Sequence, residues 1–201
     1  MLGAKRFNPL LPCPCMDPVS RFVFELGQLR RIRHEGWTLA GVEKPESVAE
    51  HSLRAAQIAY LLAVMEDHEN PAEACAMAVF HDVGETRIGD LHKVANRYVS
   101  ADEQRAVREQ TGPLGEMGSA ILDLWIQVEE GSSTAGVIAR DADLLEMAAT
   151  AREYVEAGHP SAASWIDNIA PRLRTPSARR LLQSLRTTSP HSWWQGLKEM
   201  D

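Results

Sequence analysis

A single all-α domain is what this sequence predicts. Apolar residues recur every three or four positions in successive stretches, and residues that cap or open helices stand at the head of those stretches. No stretch alternates apolar and polar residues as a half-buried strand does. The chain has 201 residues, 44% of them hydrophobic, which suffices for one well-buried core and leaves little room for a second catalytic domain.

Each element has its own signal. Residues 1–16 are proline-rich and read as an irregular arm. Asp17 and Pro18 suit the start of a first helix, whose apolar positions run Val19, Phe22, Val23, Leu26, Leu29 and Ile32 until Gly36 ends the pattern. A connecting loop carrying Trp37 and Pro45 is expected over 37–46. Ser47-Val48-Ala49-Glu50 has the spacing of a capping box and starts a second helix reaching about residue 66. Pro71 opens an alanine-rich third helix, which Gly84 closes. Residues 86–100 read as a mixed loop with a Gly89-Asp90 turn. Further helices are expected over 101–110, 113–129, 134–157 and 161–169, and a last one is capped by Thr175-Pro176. The domain is placed at 17–188 and a tail at 189–201.

Bulk properties exclude more than they identify. Lysine and arginine number 21 against 28 aspartates and glutamates, a net charge of −7 that argues against gripping a nucleic-acid polymer but tolerates a small anionic ligand held locally. No run reaches the roughly 18–20 apolar residues of a membrane span. Cys13, Cys15 and Cys75 are too few and too awkwardly spaced for a disulfide framework, which favours a reducing cytoplasm. Cys13-Pro14-Cys15 by itself is an incomplete metal site.

The chemistry concentrates in four residues. His81-Asp82 closes the third helix, His51 follows Glu50 in the second, and Asp143 lies among apolar neighbours in the long helix over 134–157. Two imidazoles and two carboxylates suit a borderline or hard divalent ion with positions left for water and substrate. Each also has an ordinary reading: His51 as a hydrogen-bonded core histidine, Asp143 as a partner of Arg140 or the backbone. Burial favours the ligand reading, because a desolvated charge needs a compensating partner. Spacing alone leaves both readings open.

These blocks resemble the HD-domain phosphohydrolase superfamily, and most closely its small 5′-deoxynucleotidase branch. The likeness spans about 22–157 and rests on Gly36-Trp37, Glu50-His51, Phe80-His81-Asp82-Val83-Gly84-Glu85, Gly89-Asp90 and Asp143-Leu144-Leu145-Glu146. It implies a single-domain HD helical bundle with one divalent metal ion (manganese, cobalt or another transition metal) on His51, His81, Asp82 and Asp143. It further implies Glu85 and Asp90 as catalytic acids, one acting on water and the other on the departing oxygen, in exchangeable roles. The implied reaction is hydrolysis of deoxynucleoside 5′-monophosphates to deoxynucleosides and phosphate.

Family members carry an arginine just before the Gly-Trp pair. Here His34 holds that position, and Arg33, one residue earlier, is the candidate phosphate clamp. Lys93 is a second clamp, and Trp37 either stacks on a base or anchors its loop. Ala40-Gly41 stands where many relatives have another arginine, so the substrate could instead be a nucleoside di- or triphosphate or a specialised phosphorylated metabolite. His92 is the sole histidine between Asp82 and Asp143, which favours one metal over two and reads as a residue near the pocket mouth. A di-iron oxygenase and a non-catalytic nucleotide-binding module are the remaining alternatives. Arg179, Arg180 and Arg186 read as a solvated helix face. Trp193-Trp194 with Leu197 would dock the tail on the body or on a second subunit, which leaves a homodimer open.

Overall fold

The computed structural model describes residues 16–197, and the expected arm, including Cys13 and Cys15, falls outside them apart from Met16. Among the described residues there are α-helices, 3-10 turns and one isolated antiparallel bridge between Arg33 and Ser47, with no strand. The order is α1 Met16–Leu26, α2 Val48–Met65, α3 Pro71–Phe80, α4 Glu85–Ile88, α5 Glu103–Thr111, α6 Glu116–Glu130, α7 Thr134–Glu156, α8 Ala163–Ile169, α9 Pro176–Thr187 and α10 Ser192–Gln195. No helix is long and apolar enough to cross a membrane.

Three helices form the centre: α2 packs on both α3 and α7, and α3 packs on α7. Alanine makes this possible. Ala55, Ala59, Ala74, Ala78, Ala142 and Ala151 are fully buried, and their small side chains let helix axes approach closely while Leu62, Met77, Ile138 and Leu145 fill the remaining space. A smaller cluster of Phe22, Val83, Val107, Leu114 and Trp125 closes the other side, joining α1, α5 and α6 to the turn after α3. The loop carrying His81 and Asp82 lies between the two clusters, so packing on both sides fixes it.

The long helix α7 contains carboxylates in its buried face, and each has partners. Asp141 is 1% exposed and accepts the backbone N–H groups of Arg174 (3.0 Å) and Thr175 (2.7 Å). Thr175 then caps α9 by accepting from Ala178 N–H at 3.2 Å. Asp141→Ala leaves those donors buried and unpaired and is expected to cost about 2–4 kcal/mol, read as a fall in the urea midpoint. An unchanged midpoint would remove Asp141 from this role.

The structure departs from the sequence reading in several places. The first helix stops at Leu26 rather than running toward Ile32, and a 3-10 turn over Gly27–Arg30 bends the chain so that Arg33 can pair with Ser47. Glycine at the break has the highest backbone entropy cost in a helix, which makes this the cheapest place to turn. The expected loop over 37–46 begins as a 3-10 helix, Glu35–Ala40, and the loop over 86–100 contains α4 at its start and a 3-10 turn at Ala95–Arg97. The third helix ends at Phe80, before its expected stop at Gly84. Trp193 and Leu197 are 76% and 78% exposed, so neither packs on the body, whereas Trp194 is half-buried with its ring 6.1 Å from that of His191; the short α10 follows the expected last helix. Arg179, Arg180 and Arg186 are exposed, as expected of a solvated helix face, and donate to Leu173 O, Ser177 Oγ and Asp167 Oδ1.

Candidate metal centre

Local structure delivers each candidate ligand. Ser47 and Glu50 form the capping box: Glu50 N–H donates to Ser47 Oγ, and Ser47 N–H donates back to Glu50 Oε2 at 2.7 Å. That fixes the first turn of α2 and turns His51 inward, where it is 1% exposed. His81 and Asp82 sit in the turn leaving α3, which frees adjacent side chains from the roughly 100° divergence of a helix. Asp143 comes from the middle of α7.

These side chains meet. The Nε2 atoms of His51 and His81 are 3.3 Å apart. Asp82 Oδ2 lies 3.6 Å from the first and 3.1 Å from the second, and Asp143 Oδ1 lies 3.4 Å and 3.9 Å from them. The other nitrogen of each ring already has a partner: His81 Nδ1 donates to Ala78 O at 2.8 Å, and His51 Nδ1 is bonded to Glu146 Oε2. Neutral rings would therefore aim lone pairs at one another and at two carboxylates, an arrangement that needs positive charge at its centre. A divalent cation fits it, with two imidazoles and two carboxylates as donors.

The electrostatics agree. Burial opposes charge on His51, yet Asp143, Glu146 and Asp82 raise its pKa well above the ordinary histidine value. His81 is likewise raised against burial, chiefly by Asp82. Burial pushes Asp82 and Asp143 up, but the two histidines outweigh it and hold both carboxyls low.

Glu85, at the start of α4, is different. Its Oε2 is buried with no hydrogen-bond partner. Burial, followed by the charges of Asp82, Asp90 and Glu103, pushes its carboxyl up to about 10. Glu103 lies against Gly84, where an added Cβ would come within 2.7 Å of Glu103 Cγ. Its carboxyl is also raised, to about 7, by burial and then by Glu129 and Asp82.

Past α4, Gly89 at φ 75° is in a backbone region that other residues rarely adopt, and it turns the chain to Asp90. Asp90 Oδ2 accepts Glu35 N–H at 2.6 Å, pinning this loop to the 3-10 helix Glu35–Ala40. Beside it opens a pocket of about 130 Å³ whose wall includes His34, Trp37, Asp90, His92, Lys93 and Trp165.

Trp37 is 1% exposed, with ring centroids 5.3 Å from both Tyr154 and Trp165, and its Nε1 donates to Glu46 Oε1 at 2.8 Å. Its body is thus part of the core. Of the substrate-binding candidates, Trp37 and Lys93 line this pocket and Arg33 does not: it is exposed and donates to Pro45 O at 3.2 Å. His34 takes the inward place, with its ring 4.5 Å from that of His51 and its Nδ1 3.2 Å from Glu46 Oε1. Burial would raise the Glu46 carboxyl, but hydrogen bonds from His34 and Tyr154 hold it down at about 2.

Residues that sequence reasoning missed are the supports: Glu146, Arg54, Glu46 and Glu103. A signal for the first two existed. Arg54 stands three residues after His51, and Glu146 three after Asp143, so each shares a helix face with a ligand.

The fold, with His51, His81, Asp82 and Asp143 converging in it, is that of the HD-domain class of metal-dependent phosphohydrolases. The HD-domain family profile matches residues 26–182, and the chain belongs to that family. Among curated relatives, a 5′-deoxynucleotidase HDDC2 of Dictyostelium discoideum is 33% identical over 143 residues, covering 66% of this chain and 75% of the relative. The Homo sapiens protein of the same name is 28% identical over 171 residues, covering 82% and 83%. Among solved structures, a conserved hypothetical protein from Pyrococcus furiosus superposes with a TM-score of 0.70 at 26% identity, covering 84% of this chain and 99% of that one. A "predicted metal-dependent phosphohydrolase" from Magnetospirillum magnetotacticum gives 0.64 at 25% identity, covering 85% and 92%.

Proposed function

We propose that this protein hydrolyses deoxynucleoside 5′-monophosphates to deoxynucleosides and inorganic phosphate in a reducing cytoplasm, using one divalent ion, manganese or cobalt, on His51, His81, Asp82 and Asp143. The observation that carries the reading is the convergence of these ligands beside the pocket walled by Asp90 and Lys93. A cation held there supplies Lewis acidity, lowering the pKa of water and polarising a phosphoryl oxygen.

The remaining roles belong to the chain. Lys93 contributes positive charge to the phosphate side of the pocket. Glu85, whose carboxyl burial and then the charges of Asp82, Asp90 and Glu103 push up, is assigned as the group that takes a proton from the attacking water. Asp90, tethered by Glu35 N–H, is assigned as the acid that gives a proton to the 5′ oxygen as the P–O bond breaks, and the proton that Glu85 takes from water restores it over the cycle. Trp37 walls the pocket as a fixed surface, and His34 replaces Arg33 as the inward-facing residue of its segment.

The test is phosphate release by metal-stripped protein, resupplied with Mn²⁺, Co²⁺, Mg²⁺, Zn²⁺ or Fe²⁺, across nucleoside mono-, di- and triphosphates. Deoxynucleoside monophosphates are expected to react best with Mn²⁺ or Co²⁺, and Lys93→Ala to raise KM about tenfold. Release confined to di- or triphosphates would move the substrate, and no release with any metal would reject the hydrolase reading.

A further inference from the structure

Behind His51, on the side away from the other ligands, the helices α2 and α7 build a second layer. Glu146 is 1% exposed and all its bonds are to named groups. Its Oε2 meets His51 Nδ1, while its Oε1 accepts from Arg54 Nε (2.9 Å), Arg54 Nη2 (2.7 Å) and Thr150 Oγ1 (2.9 Å). Arg54 also reaches Glu153 Oε1 through Nη1 at 2.7 Å, so the guanidinium is itself held from two sides. A carboxylate surrounded by donors is acceptor-only. It can bond His51 only if Nδ1 carries the hydrogen, and that leaves Nε2 to point its lone pair at His81, Asp82 and Asp143.

We propose that Glu146, clamped by Arg54 and Thr150, is a positioning residue that sets the proton and ring orientation of His51 and thereby the cation affinity of the site. This rests on the metal-hydrolase reading above. A purely structural ion pair between the two helices would change stability alone. Positioning makes a sharper demand. In Glu146→Gln the amide oxygen goes to Arg54, so the NH₂ faces His51 and forces Nδ1 to accept, which places a hydrogen on Nε2 where a ligand lone pair is needed.

The experiment titrates metal-stripped protein with Co²⁺, following affinity by calorimetry and coordination by visible absorption. In parallel, the hydrogen-bonded His51 Nδ1–H is followed by proton NMR of ¹⁵N-histidine-labelled protein. Glu146→Gln is expected to weaken Co²⁺ binding by about 10–100-fold, the usual range for partners behind a metal-ligating histidine. It is also expected to abolish the downfield Nδ1–H resonance. A cleft of about 330 Å³ opens beside Arg54, whose side chain is 36% exposed, so millimolar guanidinium is expected to restore affinity to Arg54→Ala. That variant keeps the test alive should Glu146→Gln fail to fold.

Wild-type affinity in Glu146→Gln, or an unchanged resonance, would overturn the proposal. Wild type that binds no Co²⁺ while the resonance still follows Glu146 would overturn the metal reading and leave the hydrogen-bond assignment standing.

Discussion

Asp82→Asn is expected to lower both cation binding and phosphate release on the order of a thousandfold, equivalent to about 4 kcal/mol of lost stabilisation. The carboxylate lies 3.1 Å from His81 Nε2 and 3.6 Å from His51 Nε2, so the isosteric amide removes a negative ligand from the centre and changes little else. The fold should survive, because Asp82 sits in the turn after α3 and belongs to neither apolar cluster. Thermal melting separates the two effects. Wild type gains about 2.7 kcal/mol when Co²⁺ is supplied at a hundred times its dissociation constant, and the variant gains none at that concentration. A variant that keeps metal-dependent turnover would remove Asp82 from the ligand set.

Glu85→Gln is expected to keep the cation and lose turnover by about 10²–10⁴-fold, the usual contribution of a positioned proton-transfer group. Stability should move the other way. The Glu85 carboxyl titrates at about 10 in the fold, pushed up first by burial and then by Asp82, Asp90 and Glu103, against roughly 4.3 in an unfolded chain. A raised folded pKa gives stability that is fully present below the unfolded value and is lost as pH rises toward the folded one. Cation-free wild type therefore loses stability through neutral and alkaline pH on account of this group. Glutamine has no charge to desolvate, so the variant should melt higher at pH 8 and show a shallower slope between pH 5 and 9. Inactive but more stable is the pattern of a group retained for chemistry. Wild-type turnover in the variant, or an unchanged slope, would contradict the assignment.

What was legible in the sequence follows from what is local. The capping box at Ser47 and Glu50, Pro71 opening α3 and the Thr175-Pro176 start of α9 are decided within one helical turn, and the structure has all three. The first helix stops short of the sequence expectation because Leu29 and Ile32 continue its apolar spacing past Gly27, although Leu29 is buried only after a bend. Short α4 lay hidden because four residues show no periodicity, and tertiary contact through Gly84 and Glu103 sets its place.

The site divides in the same way. His51, His81, Asp82 and Asp143 form an ordered pattern that can be read along the chain. Their supports depend on which helix faces which: Glu146 matters because α7 lies against α2, bringing it to His51 across 95 positions. His34 rather than Arg33 faces inward because the bridge to Ser47 sets the strand-like register of that short segment. No local pattern encodes that choice.

The most direct test of the central claim is equilibrium dialysis of the metal-stripped 201-residue protein against Mn²⁺ or Co²⁺, with bound metal counted per chain. The four converging ligands predict one tightly held ion per chain, and Asp143→Ala should abolish it. Two tightly held ions, none, or one that persists in Asp143→Ala would contradict the account.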